Sequence, residues 1–162
     1  MKTLLILRHA KSSWKQPVDD HDRPLNKRGK GDAPRMGRVL RDAGLLPDRV
    51  VSSTARRARK TAEKVAQHAG YEGRIDLSPD LYLAGPDAYR RLLREVSDDV
   101  GCVLVVGHNP GLEMLLEAAT GSSETLPTAA LAHVRLRIDA WRDFGLNGEG
   151  DLIEIWRPRL LA

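Results

Sequence analysis

Two histidines stand where predicted strands end, and the segments around them are suited to binding an anion. His9 comes shortly after the apolar run Thr3–Leu7, and His108 follows the apolar run Cys102–Val106. Glycines in the segment Gly107–Gly111 permit tight backbone geometry, and a helix predicted to begin there offers free N–H groups to an anion. The pattern predicts an anion-binding pocket in which two imidazoles can act on the bound group.

Arginine side chains supply the positive charge expected in this pocket. Arg8 follows the first predicted strand, and Arg56, Arg57 and Arg59 lie in the first turn of a helix that follows the strand 49–52. Arginine binds phosphate or carboxylate oxygens through two parallel hydrogen bonds. One carboxylate, Asp80, follows a third and weaker strand.

The elements that must position these residues alternate between strand-like and helix-like patterns. Strands are predicted at 3–7, 49–52, 74–77 and 102–106, and helices at 26–43, 54–69, 87–96 and 110–119. Pro34 predicts a kink or a late start in the first helix. Because alternating strands and helices favour a parallel sheet whose ligands bind beyond the carboxyl ends of the strands, the residues after each strand should meet at one edge.

The C-terminal part has a different pattern. Apolar and polar residues alternate at 133–138, a second strand-like run covers 152–156, and Asn147-Gly148 lies between them. This arrangement predicts an antiparallel pair with one solvated face. We therefore expect a single domain, residues 1–162, of three layers α/β/α with a mostly parallel central sheet and an antiparallel C-terminal strand pair.

Composition excludes several classes of protein. The chain has 162 residues, 26 Lys and Arg against 22 Asp and Glu, and hence a net charge of 26 − 22 = +4, which favours anionic partners. A single cysteine excludes a disulfide framework and a multi-cysteine zinc site. Aromatic residues are only 4% of the chain, so a base-stacking nucleic-acid platform is disfavoured. With no apolar run long enough for a signal peptide or a membrane span, we expect a cytoplasmic protein that does not bind membranes.

Four segments resemble, in order, the signature blocks of the histidine phosphatase superfamily, the phosphoglycerate-mutase-like enzymes. They are residues 8–12, 22–29, 53–62 and 106–111. The short chain and the wording of these blocks resemble the SixA-type phosphohistidine phosphatase branch most closely. Ala10 stands where the family usually has glycine, a mild change unless that residue needs a positive φ.

The resemblance implies roles for individual residues. His9 would be the nucleophile, Arg8 and Arg57 would bind the phosphoryl oxygens, and His108 would be the second histidine. The implied arginine is Arg57 rather than its neighbour Arg56, because Arg57 keeps the Arg-Ala-x-x-Thr spacing. Further substrate-binding candidates are Lys11, Ser12, Arg23 and Asn109.

The sequence leaves the acid, the substrate class and the role of Trp14 open. Asp80 is the candidate acid for protonating a leaving group, although the resemblance leaves open whether this branch requires one. No metal or cofactor is expected. The substrate is a phosphoprotein carrying phosphohistidine or, alternatively, a small phosphomonoester or sugar phosphate. A non-catalytic phosphate-binding module is an alternative of another class, and nucleic-acid binding ranks last. Trp14, in a polar loop, suggests a lid or pocket wall, but a packed loop anchor is the favoured interpretation.

Overall fold

A computed structural model describes residues 1–161 and contains one six-stranded sheet in the order β3-β2-β4-β1-β5-β6. The strands are β1 Lys2–Arg8, β2 Arg49–Ser53, β3 Ile75–Ser78, β4 Cys102–Gly107, β5 Leu131–Leu136 and β6 Asp151–Trp156. The four α-helices are α1 Lys27–Asp42, α2 Arg56–Ala69, α3 Pro86–Arg94 and α4 Gly111–Thr120. No helix in this part of the chain is both long and apolar enough to cross a bilayer.

The central strands are buried on both faces, which is why their sequences are continuously apolar. In β1, Leu4 and Ile6 pack into the core beneath α3 and α4, whereas Leu5 and Leu7 pack into the core beneath α1 and α2. Strand β4 alternates in the same way. Two helical layers therefore cover the sheet, and the predicted fold class is confirmed.

The parallel strands end together at one edge of the sheet. β1 pairs with β4 so that Arg8 lies opposite Gly107, and β2 pairs with β4 so that Ser52 lies opposite Val106. The residues that follow β1 and β4 are therefore neighbours. A Cβ at Gly107 would collide with the hydroxyl of buried Tyr89, so any larger residue at this strand end would have to displace the Tyr89 ring.

The first helix lies where it was predicted, within one residue at each end, but Pro34 does not delay its start. It begins at Lys27 and runs through Pro34, so the expected late start is wrong. The Asn26 side chain accepts a hydrogen bond of 2.9 Å from the Gly29 N–H and caps this early start. The hydrogen bond that proline cannot donate is one of many in the helix, and packing of the apolar face of α1 against α2 outweighs its loss.

The C-terminal strands pair antiparallel, as predicted, but β5 lies inside the sheet between β1 and β6. It begins at Leu131, two residues earlier than the alternating pattern indicated. Leu131 packs into the core on one face of the sheet and Ala132 into the core on the other, so both are buried and do not alternate. The solvated positions lie later in β5 and on the edge strand β6.

Candidate active site

A cleft of about 270 Å³ opens beyond the carboxyl ends of β1, β2 and β4. Its lining comes from the ends of β1 and β4, the start of α2 and the neighbouring loops: Arg8, His9, Lys11, Ser12, Trp14, Asp20, Arg23, Arg57, Leu83, His108, Asn109 and Thr128. Eight of the nine sequence-predicted site residues are among them, and the missing one is Asp80.

His9 is held in one orientation by the backbone. Its Nδ1 lies 2.8 Å from the carbonyl oxygen of Ala10. A carbonyl can only accept, so Nδ1 carries the proton and Nε2 keeps its lone pair. Burial lowers the pKa of His9 to about 3, and the charges of His108, Arg57 and Arg8 add to this effect. The ring is therefore neutral at physiological pH and can act as a nucleophile through Nε2.

His108 faces His9 across the cleft. The two ring centroids are 5.2 Å apart, and the planes are inclined by 54°. His108 Nε2 lies 2.8 Å from the Ser53 hydroxyl, at the end of β2. Burial, followed by the charge of Arg57, lowers the pKa of His108 to about 4, and Asp20 opposes the shift.

Arg57 and Arg56 are adjacent in sequence but point in different directions. Arg57 is only 2% exposed and lines the cleft, whereas Arg56 is exposed and lines a different hollow. Thr61, one turn later, donates a hydrogen bond of 2.7 Å to the Arg57 carbonyl and accepts one of 2.9 Å from the Ala10 N–H. The Arg-Ala-x-x-Thr spacing thus joins the start of α2 to the end of β1.

Arg8 is fixed from the opposite side. Its guanidinium donates to the Leu126 carbonyl at 3.0 Å, and Asn109 donates to the same oxygen at 2.9 Å. The Glu113 carboxylate accepts from the Asn109 amide at 3.0 Å and from the Leu126 N–H at 2.7 Å. Helix α4 therefore holds the loop on which Arg8 rests.

Three residues that line the cleft each keep one buried nitrogen without a hydrogen-bond partner among residues 1–161. They are Arg8 through Nε, Arg57 through Nε and His108 through Nδ1. Leaving a buried polar group unpaired costs about 1–3 kcal/mol, so such groups are rare unless a ligand completes them. Three of them at one cleft, two on guanidinium groups, form a site suited to an oxyanion.

Asp20 is the functional residue that sequence reasoning missed. Its backbone carbonyl accepts from Arg57 at 2.7 Å, and its carboxylate accepts from Arg57 and from Arg23, each at 3.0 Å, as well as from the Tyr82 hydroxyl. The Tyr82 hydrogen bond, with those from the two arginines, holds the pKa of Asp20 well below its usual range. The only signal was its place three residues before Arg23 in an acidic segment, which indicates charge but no partner.

The structure does not bring Asp80 to the cleft. Asp80 is exposed in the short 3₁₀ turn Pro79–Leu81, and the carboxylate at the cleft is that of Asp20. The remaining candidates do line the cleft. Ser12 accepts a hydrogen bond of 2.7 Å from buried Arg23, and Lys11 is exposed at the rim.

Two expectations on the first loop have clear outcomes. Ala10 is buried without a positive φ, so its methyl group is accommodated without backbone strain. Trp14 is 74% exposed and forms a wall of the cleft, so the favoured interpretation as a packed loop anchor is wrong. The Arg23 guanidinium lies 3.4 Å from its ring centroid and holds the exposed ring in place.

Comparison with known proteins gives consistent matches. The family model described as histidine phosphatase superfamily (branch 1) matches residues 4–82. The crystal structure of SixA from Agrobacterium tumefaciens, a candidate phosphohistidine phosphatase, superimposes with a TM-score of 0.83 at 30% identity, covering 97% of this chain and 98% of that one. A SixA of the same description from Nakamurella has a TM-score of 0.80 at 29% identity, covering 97% and 96%.

Among curated sequences, an uncharacterized chloroplastic protein of Arabidopsis thaliana is 33% identical over 160 residues. The match covers 92% of this chain and 73% of that protein. The fold, the two facing imidazoles with their arginines, and the matches along nearly the whole chain all indicate the same family. This chain belongs to the histidine phosphatase superfamily.

Proposed function

We propose that the protein is a phosphatase that hydrolyses phosphohistidine on proteins through a covalent phospho-His9 intermediate. The observation that carries the proposal is the set of buried, unpartnered nitrogens on Arg8, Arg57 and His108 beside a neutral imidazole. A phosphoryl group bound there would meet the His9 Nε2 lone pair and three groups able to stabilise its oxygens.

The reaction has two displacements at phosphorus. In the first, His9 Nε2 forms a bond to phosphorus while the P–N bond to the substrate imidazole breaks, and the substrate histidine leaves as neutral imidazole when its ring is protonated beforehand. In the second, water attacks phospho-His9, the P–Nε2 bond breaks, and inorganic phosphate leaves. The arginines offset charge on the equatorial oxygens in both steps. Both protons of the attacking water end on the released phosphate, and His9 leaves phosphorus as a neutral imidazole.

The charge state of the cleft favours phosphohistidine over phosphate esters. An ester expels an alkoxide, which needs a proton from a positioned acid, and such an acid typically contributes about 10²–10⁴-fold. The carboxylate among the described cleft residues is Asp20, whose lowered pKa keeps it ionised. A phosphohistidine whose ring is protonated releases neutral imidazole without an acid from the enzyme. Small phosphomonoesters, which need such an acid, are therefore the second candidate class of substrate.

A substrate panel tests the proposal. It contains a phosphohistidine peptide, an aryl phosphate, an alkyl phosphate and common sugar phosphates, each with and without EDTA. We expect the highest kcat/KM with phosphohistidine and no loss with EDTA. Higher kcat/KM with a sugar phosphate would favour the second candidate. Loss of turnover on chelation that Mg²⁺ or Zn²⁺ restores would overturn the mechanism, and binding without turnover of any substrate would indicate a phosphate-binding module.

Adjacent arginines provide a matched pair of variants for the same assay. Arg57→Ala removes a guanidinium that lines the cleft, and Arg56→Ala removes an exposed one from the next position. We expect Arg57→Ala to lower kcat/KM by about 10²-fold or more, as loss of one donor to a developing oxyanion does. Arg56→Ala should stay close to wild type. The reverse order would contradict the assignment of the phosphate-binding arginine.

A further inference from the structure

A second hollow, larger than the cleft, opens beside it. Its volume is about 730 Å³, and Lys11, Ser12 and Trp14 line both hollows, so that the two adjoin. We call it the basic groove, because its lining includes Lys11, Lys15, Lys27, Arg28 and Lys30, together with Trp14. No carboxylate is among its lining residues within the described part of the chain.

Lysines are concentrated on this face. The chain has seven, of which four line the basic groove. Lys60 and Lys64 line the next hollow, which shares Leu25 and Lys30 with the groove, and Lys2 is buried. Many exposed arginines elsewhere are in ion pairs with carboxylates, whereas none of the four groove lysines lies within 4.0 Å of a carboxylate oxygen of residues 1–161.

Trp14 stands at the junction of the groove and the cleft. One face of its ring is covered by the Arg23 guanidinium, which is itself held by Asp20 at 3.0 Å and by Ser12 at 2.7 Å. The ring is therefore fixed in place yet 74% exposed. Fixed, exposed aromatic side chains beside a charged surface are typical anchors for a binding partner.

We propose that the basic groove binds an acidic segment of the phosphoprotein substrate, next to the histidine whose phosphoryl group enters the cleft. This inference rests on the proposed function. A small phosphomonoester fits within the cleft and leaves the groove empty, whereas the chain flanking a phosphorylated residue must leave the cleft along its wall. Carboxylates on that chain complement the unpaired lysines. A nucleic acid fits less well, because Trp14 is the one aromatic residue of 1–161 that lines the groove, and successive bases have nothing to stack on.

Two fluorescein-labelled peptides of equal length test the groove directly. One has Asp and Glu on both sides of a histidine, and the other has Asn and Gln in their place; both are measured unphosphorylated for binding and phosphorylated for turnover. The groove variant is Lys15→Gln/Lys27→Gln/Lys30→Gln. The matched control, Arg41→Gln/Arg91→Gln/Arg142→Gln, removes the same three charges from exposed positions elsewhere. None of the six residues lines the cleft.

We expect wild type and control to bind the acidic peptide about tenfold more tightly than the neutral one at low salt, because several exposed charge pairs each contribute a little. The groove variant should lose this preference and keep its turnover of p-nitrophenyl phosphate, and 0.5 M NaCl should abolish the preference in every protein.

Equal affinity of the two peptides for wild type, or equal losses in the two triple variants, would overturn the inference. So would a single-stranded RNA that binds the groove when the acidic peptide shows no preference. Selective binding of the acidic peptide without hydrolysis of its phosphohistidine form would support the groove as a peptide site and overturn the proposed function instead. The binding and turnover readouts therefore separate the two failures.

Discussion

The ends of β1 and β4 each present a histidine to the same cleft, but the two rings have different partners. His9 Nδ1 is 2.8 Å from a backbone carbonyl, which can only accept a hydrogen bond. His108 Nε2 is 2.8 Å from the Ser53 hydroxyl, which can donate or accept. Both rings are buried, and both have lowered pKa values, about 3 for His9 and about 4 for His108.

The different partners suit the two rings to the different roles proposed for them, His9 as the nucleophile and His108 as a group that stabilises the phosphoryl oxygens. A carbonyl partner keeps His9 in one tautomer with Nε2 unprotonated, as a nucleophile requires. A hydroxyl partner can donate or accept, so His108 can adopt either neutral tautomer and keep its position. Equal burial therefore does not make two histidines equivalent, because the hydrogen-bond partner decides which nitrogen is free.

The largest effect should come from removing His9, the proposed nucleophile. We expect His9→Ala to lower kcat by more than about 10⁴-fold, as loss of a nucleophile does in other covalent enzymes. Acid-labile, alkali-stable phosphate should be trapped on wild type and on His108→Ala but not on His9→Ala. Rapid quenching followed by peptide mass spectrometry gives the site. Full activity of His9→Ala, or phosphate on His108, would reverse the assignment of the two rings.

Removing the second imidazole should cost less. We expect His108→Ala to lower kcat by about 10²–10³-fold, because one stabilising group of several is lost while the nucleophile remains. The histidine control is His133→Ala, whose ring stacks on Trp156 on the far side of β1. Its kcat should match wild type. A loss as large as that of His9→Ala would mean that the two histidines act as an inseparable unit.

The lowered pKa values also predict how stability depends on pH. In the unfolded chain each histidine takes up a proton as pH falls through about 6.5, while folded His9 and His108 stay neutral down to about 3 and 4. Stability is therefore fully present above pH 6.5 and declines below it. From pH 7 to pH 5 each ring should cost about 2 kcal/mol of the free energy of unfolding.

Urea denaturation of wild type, His9→Ala and His108→Ala at both pH values checks this expectation. Each variant should lose about 2 kcal/mol less than wild type between pH 7 and pH 5, because one of the two rings is gone. An identical decline in all three proteins would show that neither ring is held neutral in the folded state.

Changes to two carboxylates, Asp20 at the cleft and Asp80 away from it, should give the smallest effects on activity. Asp20→Asn removes a charge that fixes Arg57 and raises the pKa of His108, so we expect kcat/KM to fall about tenfold, as for a lost charged hydrogen bond. Asp80→Asn is the matched control and should stay within about twofold of wild type on alkyl phosphate and phosphohistidine alike, since exposed sites contribute little. A selective loss on the alkyl phosphate in Asp80→Asn would restore Asp80 as the acid.

Sequence reasoning succeeded where position depends on the backbone alone. A residue directly after a buried parallel strand must lie at the carboxyl edge of the sheet, which places His9 and His108 without knowledge of any side-chain contact. Asp80 also follows a strand, but β3 is the outermost strand on its side of the sheet. It lies two places from β4 and three from β1, the strands that precede His108 and His9. The order of strands within a sheet is a tertiary property that local patterns do not contain.

Asp20 and Tyr82 show the second limit. Asp20 lies in a 3₁₀ turn and Tyr82 directly after another, 62 residues later, yet the two side chains meet at Arg57. Loops of this kind follow paths set by the groups they contact, so their side chains become predictable only after the strand ends have been placed.

The Thr61 hydroxyl limits how this site could be transferred to another protein scaffold. It accepts from the backbone beside the nucleophile and donates to the backbone of Arg57, so one oxygen atom sets the spacing between a strand end and a helix start. A graft that copied only the histidines and arginines would leave these two pieces of chain free to drift apart. The smallest transplantable unit therefore includes the second turn of α2, residues 60–63, although none of these four residues lines the cleft.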